Sequence, residues 1–363
     1  MTAATVKKVM IMAGGTGGHV FPALAVADEL KQRDVEVSWI GTEKGIEATL
    51  VPQAGYPLAF ISVAGLRGNG TLGWLMAPFR VLKAVWQAGR LLQVFNPDVV
   101  IGLGGFASGP GGVAAWLLKK PLLIHEQNSI PGLTNKLLAR LARKVLAGFP
   151  NSFDSRVEAE WVGNPVRKQI EDLPMPHLRQ TENDGRLKLL VLGGSLGART
   201  LNEVVPAALQ LMDVSLRPEV RHQCGKKHID ACQAAYQQAG VEAEITDFIA
   251  DMAQAYSWAD LVICRAGALT VAEIAAAGVA SILVPYPYAV DDHQTHNAAL
   301  LVDAGAARLV ADNMLNAEEL SVSLRQLDQD REGLLTMANA ARQVAKIGSA
   351  TRIADLCMEY AHG

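Results

Sequence analysis

The chain has four cysteines in 363 residues, Cys224, Cys232, Cys264 and Cys357, and no two stand at Cys-x-x-Cys spacing. That argues against a structural zinc and a disulfide-stapled domain, and predicts a reduced, cytosolic protein. No apolar run is long enough to cross a bilayer; segments such as Leu189–Leu192 and Ile282–Val284 have the length of buried strands. Residues 1–8 lack the apolar stretch and small-residue cleavage site of a secretion signal. There is no G-x-x-x-x-G-K-[ST], so a Walker-type nucleotidase is not expected, and no low-complexity tract or solenoid repeat. One absence is local. No acidic residue occurs from Ala48 to Pro97.

What is present describes a globular chain, 50% hydrophobic and 19% charged, of a length that predicts two domains. The net charge of −3 conceals an asymmetry: residues 1–165 carry 16 Lys and Arg against 11 Asp and Glu, and residues 166–363 carry 17 against 25. A basic half and an acidic half suggest that only the first meets an anionic partner.

Two glycine turns stand at corresponding places. Val9–Ala13 leads into Gly14-Gly-Thr-Gly-Gly-His19, and Leu189–Leu192 into Gly193-Gly-Ser-Leu-Gly-Ala198. Each reads as a buried parallel strand, a tight turn and a helix N-terminus, whose unpaired N–H groups and positive dipole end suit phosphate. The expected fold is α/β, two Rossmann-like doubly wound domains facing each other across a cleft that holds a phosphate-bearing substrate. Strands are predicted at 9–13, 36–40, 58–62, 99–103, 122–125 and 145–147, then at 187–192, 220–223, 242–245, 261–264, 282–284 and 308–310. Helices are predicted at 22–32 and 78–94. Gly163-Asn-Pro165 predicts the join, giving domains 1–163 and 164–341, and 174–186 reads as a loop.

Other motifs leave alternatives. Gly102-Leu-Gly-Gly-Phe-Ala-Ser-Gly-Pro-Gly-Gly112 contains a formal G-x-G-x-x-A, but its length is wrong for a dinucleotide loop. His19 beside its glycines is either a structural cap or a group that titrates near neutrality in the reaction. His125, Glu126 and Asn128 end a strand where ligands bind, or form a buried polar network. Thr270-x-x-Glu273 is either a capping box or a ribose-binding carboxylate. Asp291-Asp-His-Gln-Thr-His296 reads as a ligand-contacting loop rather than a metal site. Trp74, Leu75, Phe79 and Trp86 interleaved with Arg80 and Lys83 are typical of an interfacial membrane contact, unless the apolar side is ordinary core.

Taken in order, Gly14–His19, Gly104–Pro110, His125–Asn128, Gly163–Arg167, Gly193–Ala198 and Arg265–Glu273 resemble the MurG family over nearly the whole chain. These are bacterial peripheral-membrane glycosyltransferases. The resemblance implies a GT-B fold and inverting transfer of N-acetylglucosamine from UDP-GlcNAc to the C4 hydroxyl of the MurNAc of lipid I, giving lipid II for peptidoglycan. It implies no cofactor and no metal, and no nucleic-acid partner. It also implies a place on the cytoplasmic face of the inner membrane, against anionic phospholipid and near cell-wall synthesis and division proteins. Residues from about 342 onward are expected to return to the first domain. For UDP-GlcNAc the resemblance implies Thr16, Gly17, Gly18, Asn128, Arg167, Ser195, Ile249, Ala268, Leu269, Thr270, Val271, Ala272, Glu273 and Gln294. For the acceptor the expected residues are Gly104, Gly105, Ser108 and Gly109. Leu196 stands where many family members have Gln. The incoming hydroxyl needs a base, for which His19 is the first candidate and Glu126 the second. A UDP-sugar 2-epimerase of the same two-domain fold and a non-catalytic nucleotide-sugar-binding scaffold are the alternatives; the basic, Trp-bearing segment argues against the first.

Overall fold

The structure, a computed structural model, describes residues 7–63, 71–179, 185–194 and 197–361; at 71–76 and Val290 it describes the backbone alone. The chain divides into two compact units, Met1–Arg167 with Gly348–Gly363, and Lys168–Ile347.

The first unit runs β1 (Lys8–Met12), α1 (Gly17–Lys31), β2 (Glu36–Gly41), α2 (Glu47–Gln53), β3 (Leu58–Phe60), α3 (Thr71–Phe95), β4 (Val99–Gly102), α4 (Ser108–Leu117), β5 (Leu122–Glu126), α5 (Leu133–Leu138), β6 (Lys144–Ala147) and β7 (Ala159–Trp161). Its seven-stranded sheet has the order β3-β2-β1-β4-β5-β6-β7. The second unit runs α6 (Lys168–Glu171), α7 (Pro176–Arg179), β8 (Lys188–Leu192), α8 (Arg199–Gln210), β9 (Glu219–Gln223), α9 (Ile229–Ala239), β10 (Glu244–Thr246), α10 (Met252–Trp258), β11 (Leu261–Cys264), α11 (Ala268–Ala277), β12 (Ala280–Leu283), α12 (His293–Val302), β13 (Ala307–Leu309), α13 (Ala317–Gln329) and α14 (Arg331–Val344). Its sheet has the order β10-β9-β8-β11-β12-β13.

Every strand pair is parallel. Helices must therefore cover both faces, and the central strands are apolar runs with no polar side. Val9 to Met12 and Leu189 to Leu192 are all buried. In each sheet the winding reverses beside the first strand, between β1 and β4 and between β8 and β11. Ligands of open α/β sheets bind outside the carboxyl ends of the strands at such a reversal. Both glycine turns end there.

The last helix, α15 (Ser349–Ala361), packs on the first unit, where Ile353, Ala354, Leu356 and Cys357 join the core with Val26 and Leu30 of α1. The Arg33 guanidinium binds Asp355 at 2.6 Å, and Lys7 donates to the Ala361 carbonyl at 2.7 Å.

The strands read from sequence are present within two residues at each end. The edge strand β7 was not expected, because Ala159-Glu-Trp161 has no apolar run. Two helices begin earlier than their prolines suggested. α1 starts at Gly17 and α3 at Thr71, with Pro22 and Pro78 inside. A helical proline removes one i→i−4 bond, a cost these helices bear. The segment read as a loop from 174 to 186 contains α7.

Candidate active site

In the first unit the reversal brings two glycine loops into backbone contact. A Cβ on Gly105 (φ +84°) would lie 2.2 Å from the Gly14 carbonyl oxygen, so no side chain fits there. Thr16 is the extended N-cap of α1, and its hydroxyl does not cap the helix. It lies instead 3.4 Å from His19 Nδ1. The other edge of the His19 ring faces Gly104 (φ +95°), whose Cβ would stand 2.5 Å from Cδ2 and 2.8 Å from Nε2. Burial pushes the His19 imidazole below its usual value, against the opposing pull of Glu126, the Gly14 backbone and Glu47. At pH 7 it is neutral.

The loop is held by Glu47, a fully buried carboxylate that accepts from the N–H of Gly15 at 2.8 Å, the N–H of Thr42 at 2.9 Å and the Thr42 hydroxyl at 2.7 Å. Gly15 has φ +91°, so its geometry is available to glycine and secured by that acid. Sequence reasoning missed Glu47. Its signal is weak: a lone acid at the start of a helix.

At the end of β5 a polar network is packed. His125 is buried, with Nε2 2.9 Å from the Gly163 carbonyl and Nδ1 3.2 Å from Gln127 Nε2. Burial lowers its pKa to about 4. The ring is therefore neutral, and since a carbonyl only accepts, Nε2 carries the proton. Glu126 accepts from the N–H of Asn128 (3.0 Å), Asn128 Nδ2 (3.3 Å), the N–H of Gly132 (3.1 Å) and Asn135 Nδ2 (2.9 Å). Both its oxygens are engaged in holding the loop from 127 to 135. The Ser108 hydroxyl, expected at the acceptor, is buried 2.9 Å from the Met12 carbonyl and 2.7 Å from that of Gly104. At the N-terminus of α4, Ser108 and Gly109 therefore present backbone N–H groups. Phe106, which sequence reasoning passed over, stands exposed between Gly105 and Ala107.

In the second unit the turn after β8 uses Gly194 (φ +76°) and Gly197 (φ +77°). A Cβ on Gly197 would lie 2.5 Å from the Cys224 carbonyl oxygen. Gln223 Nε2 donates to the Gly194 carbonyl at 3.1 Å. Behind it, His222 bonds Tyr236 Oη at 2.9 Å and Asn202 Oδ1 at 3.0 Å, and Asn202 donates to the Cys224 carbonyl at 3.2 Å. After β11, Arg265 Nη1 donates to the carbonyls of Val284 and Pro285, each at 3.2 Å, and pairs with Asp312. Asp312 also accepts from Thr200 of α8 at 3.2 Å, tying the start of α8 to the loop after β11.

Two family models match: the glycosyltransferase family 28 N-terminal domain over residues 9–147 and the C-terminal domain over residues 188–355. A relative from Nitrosococcus oceani is 55% identical over 98% of this chain and 99% of its own, and is named UDP-N-acetylglucosamine–N-acetylmuramyl-(pentapeptide) pyrophosphoryl-undecaprenol N-acetylglucosamine transferase. The crystal structure of Acinetobacter baumannii MurG is 43% identical and covers 97% of this chain and 99% of that one, with a TM-score of 0.84. The chain belongs to the MurG family of family 28 glycosyltransferases. Its architecture is the GT-B fold, two Rossmann-like units. A UDP-N-acetylglucosamine 2-epimerase at 13% identity matches over 99% of this chain and 98% of that one with a TM-score of 0.65. That likeness concerns the fold alone, so fold does not separate a MurG-type transferase from an epimerase.

The remaining residues expected from the MurG resemblance fall as follows. Thr16, Gly17 and Gly18 form the N-terminus of α1, and Asn128 is in the loop after β5. Arg167 lies with its guanidinium 5.6 Å from the centre of the Phe21 ring. Ile249 is in the loop after β10, half-buried. Ser195 and Leu196 lie outside the described residues. Ala268, Leu269, Thr270, Val271, Ala272 and Glu273 form the first turns of α11. Its N-cap is Gly267, in extended conformation. The capping-box reading of Thr270 and Glu273 is thereby corrected: both are inside the helix, because Gly267 turns the chain into it. Glu273 is buried, and its Oε2 accepts from the Tyr256 hydroxyl at 3.2 Å. Residues 291–296 were read as one loop, but α12 begins at His293; there Gln294 Oε1 accepts from the N–H of Tyr286 at 2.8 Å.

The basic segment of the first unit is α3, and its amphipathy is inverted in size. Ala77, Ala84, Ala88 and Leu92 are buried, whereas Phe79, Leu82 and Trp86 are each more than half exposed, beside exposed Arg80 and Lys83. The Arg90 guanidinium lies 4.8 Å from the centre of the Trp86 ring. The side chains of Trp74 and Leu75 lie outside the described residues. α3 packs on α4, and α4 on α5. These helices add exposed Trp116, Leu117, Leu133 and Leu137, which the sequence reading did not single out because they are scattered. Among the described residues no helix is long and apolar enough to cross a membrane.

Proposed function

We propose that this chain transfers N-acetylglucosamine from UDP-GlcNAc to the C4 hydroxyl of the MurNAc of lipid I, forming lipid II, with inversion and without a metal. The observation that carries this is the 55% identity over 98% of the chain to the transferase named for that reaction. The chemistry of the two switch points fits it. His19, neutral at pH 7, takes the proton of the C4 hydroxyl. The oxygen forms a bond to the anomeric carbon as the bond from that carbon to the diphosphate breaks, through a state with oxocarbenium character. The leaving UDP gains charge, which the N–H groups at the starts of α8 and α11 stabilise in place of a cation. Ser195 and the adjacent N–H groups take the diphosphate, Ile249 the uracil through its backbone, Glu273 the ribose, Gln294 the sugar, and Arg167 lies near the nucleotide. Thr16, Gly17, Gly18 and Asn128 complete the donor contacts. Gly104, Gly105 and the N–H groups of Ser108 and Gly109 receive the acceptor diphosphate. Glu126, with both oxygens committed, holds its loop rather than acting as the base.

The acceptor's polyprenyl chain lies in a membrane, and the exposed face of α3, α4 and α5 is suited to anionic phospholipid on the cytoplasmic leaflet. Lys and Arg contribute there through charge, and Phe79, Leu82, Trp86 and Trp116 through apolar burial. Transfer to a soluble lipid I analogue in excess EDTA tests the metal-free route. Most of the activity is expected to remain; complete loss restored by Mg²⁺ or Mn²⁺ overturns it.

A further inference from the structure

Gln127 is a buried side chain with one unused atom. Its Nε2 donates to the Leu103 carbonyl at 2.8 Å and to His125 Nδ1 at 3.2 Å. His125 Nδ1 is an acceptor because Nε2 of that ring donates to Gly163. Two acceptors on one side fix the orientation of the amide, so the opposite atom is the oxygen. That oxygen, Oε1, is buried and has no hydrogen-bond partner among the described residues. An unpaired buried acceptor is costly and calls for an explanation.

Its surroundings supply one. Oε1 lies 3.2 Å from the point where a Cβ on Gly104 would stand, and His19 Nε2 lies 2.8 Å from the same point. Because residue 104 is glycine, no side chain separates them. The opposite nitrogen of His19, Nδ1, lies on the exposed side, 3.4 Å from the Thr16 hydroxyl. We infer that Gln127 is a positioning residue for His19: its Oε1, through one bridging water, receives the Nε2–H of His19 and so leaves the lone pair of the base on Nδ1, beside Thr16. This rests on His19 being the base, and it names the reacting atom. The full chain of donors runs from His19 Nε2–H through that water to Gln127 Oε1, and from Gln127 Nε2–H through His125 to the Gly163 carbonyl. Each member fixes the tautomer or orientation of the next, as second partners do for a reactive imidazole. When His19 takes the proton of the acceptor hydroxyl at Nδ1, the imidazolium keeps an acceptor at Nε2. The other groups facing the ring are Glu126 from β5, Glu47 from α2 and the Gly14 backbone from the loop.

The test uses the full chain labelled with ¹⁵N-histidine. Imidazole ¹H–¹⁵N correlations are read across pH, with His19 assigned by its loss in His19→Ala. In the wild type, above its titration, Nε2 is expected to carry the proton and Nδ1 to be bare. Gln127→Met is expected to lose that preference, to lower kcat by roughly 10- to 100-fold, the size of a hydrogen bond to a charged group, and to move the acidic limb of the pH profile downward. The KM for UDP-GlcNAc is expected to hold. Gln127→Glu, nearly isosteric, keeps an oxygen toward His19 and adds charge, so its limb is expected to move upward; it also carries the test if the methionine variant does not fold. A wild-type ring protonated on Nδ1, or a tautomer and pH limb unmoved in both variants, overturns the proposal. A loss of less than tenfold in His19→Ala removes His19 as the base instead, and the tautomer measurement stands apart from it.

Discussion

In the first unit the glycine turn after β1 is secured by buried acids: Glu47 binds the loop itself and Glu126 the neighbouring one. In the second unit the turn after β8 is secured by neutral groups: Gln223, Asn202, His222 and Tyr236. The frame is the same, a parallel sheet whose winding reverses beside its first strand. The difference lies in what stands at the strand ends. Unit one presents a half-buried imidazole beside carboxylates, equipment for moving a proton. Unit two presents helix N-termini and an arginine already neutralised by Asp312, equipment for holding an anion without a titrating group. One architecture, used twice, carries two differently equipped strand ends, and the proposed mechanism gives the proton transfer to the first and the leaving group to the second.

The comparison breaks first at His19. Replacing it with alanine is expected to lower turnover by about 10²–10⁴-fold, with the affinity for UDP-GlcNAc little changed. The wild-type acidic limb is expected below the ordinary histidine value, because burial lowers the pKa: activity is full at pH 7 and falls only as pH drops through that lowered value. Steady-state kinetics at saturating acceptor across pH check both; a loss under tenfold contradicts the assignment. The next largest effect concerns the supports. Glu47→Ala leaves three donors without their acceptor, and unfolding is expected to cost about 3 kcal/mol less or worse, at ~1–3 kcal/mol per buried unpaired group. Tyr236→Phe in the neutral network is expected to cost about 1 kcal/mol. Denaturant titration compares them, and equal losses would erase the distinction between the units. Glu273→Gln is expected to weaken UDP binding by ~1.5–3 kcal/mol, a hydrogen bond to a charged group, measured by calorimetric titration. Unchanged affinity would give Glu273 a structural role, with its Tyr256 contact as part of it. The smallest effect is at the surface. Arg80→Glu with Lys83→Glu is expected to weaken binding to anionic vesicles by roughly 1 kcal/mol per side chain, less at high salt. Activity on a short-chain acceptor is expected to survive. Wild-type vesicle binding in that variant would move the docking face to α5 and its Lys136.

Much of this frame was legible because fully covered parallel strands are short apolar runs and glycine turns are explicit in sequence. Leu261–Cys264 was read to the residue. The candidate site was legible where a polar side chain stands beside glycines in sequence, as at His19, which the fold sets against Gly104. It was not legible where the decisive partner is far along the chain. Glu47 reaches Gly15 across 32 positions, and Gln127 and His19 come to the two sides of Gly104 only through the fold. The Thr270–Glu273 spacing misled because a capping box and the interior of a helix share the same i, i+3 pattern. The size inversion of α3 was also hidden, since periodicity reports where apolar residues lie and not whether alanine or tryptophan faces the core.

The most direct test is single-turnover transfer with enzyme in excess of UDP-GlcNAc and a soluble lipid I analogue. The expected result is one equivalent of β-linked disaccharide and one of UDP, formed only when the acceptor is present and lost in His19→Ala. Conversion of UDP-GlcNAc to its C2 epimer without acceptor, or bound UDP-GlcNAc recovered unchanged in its presence, would contradict the account.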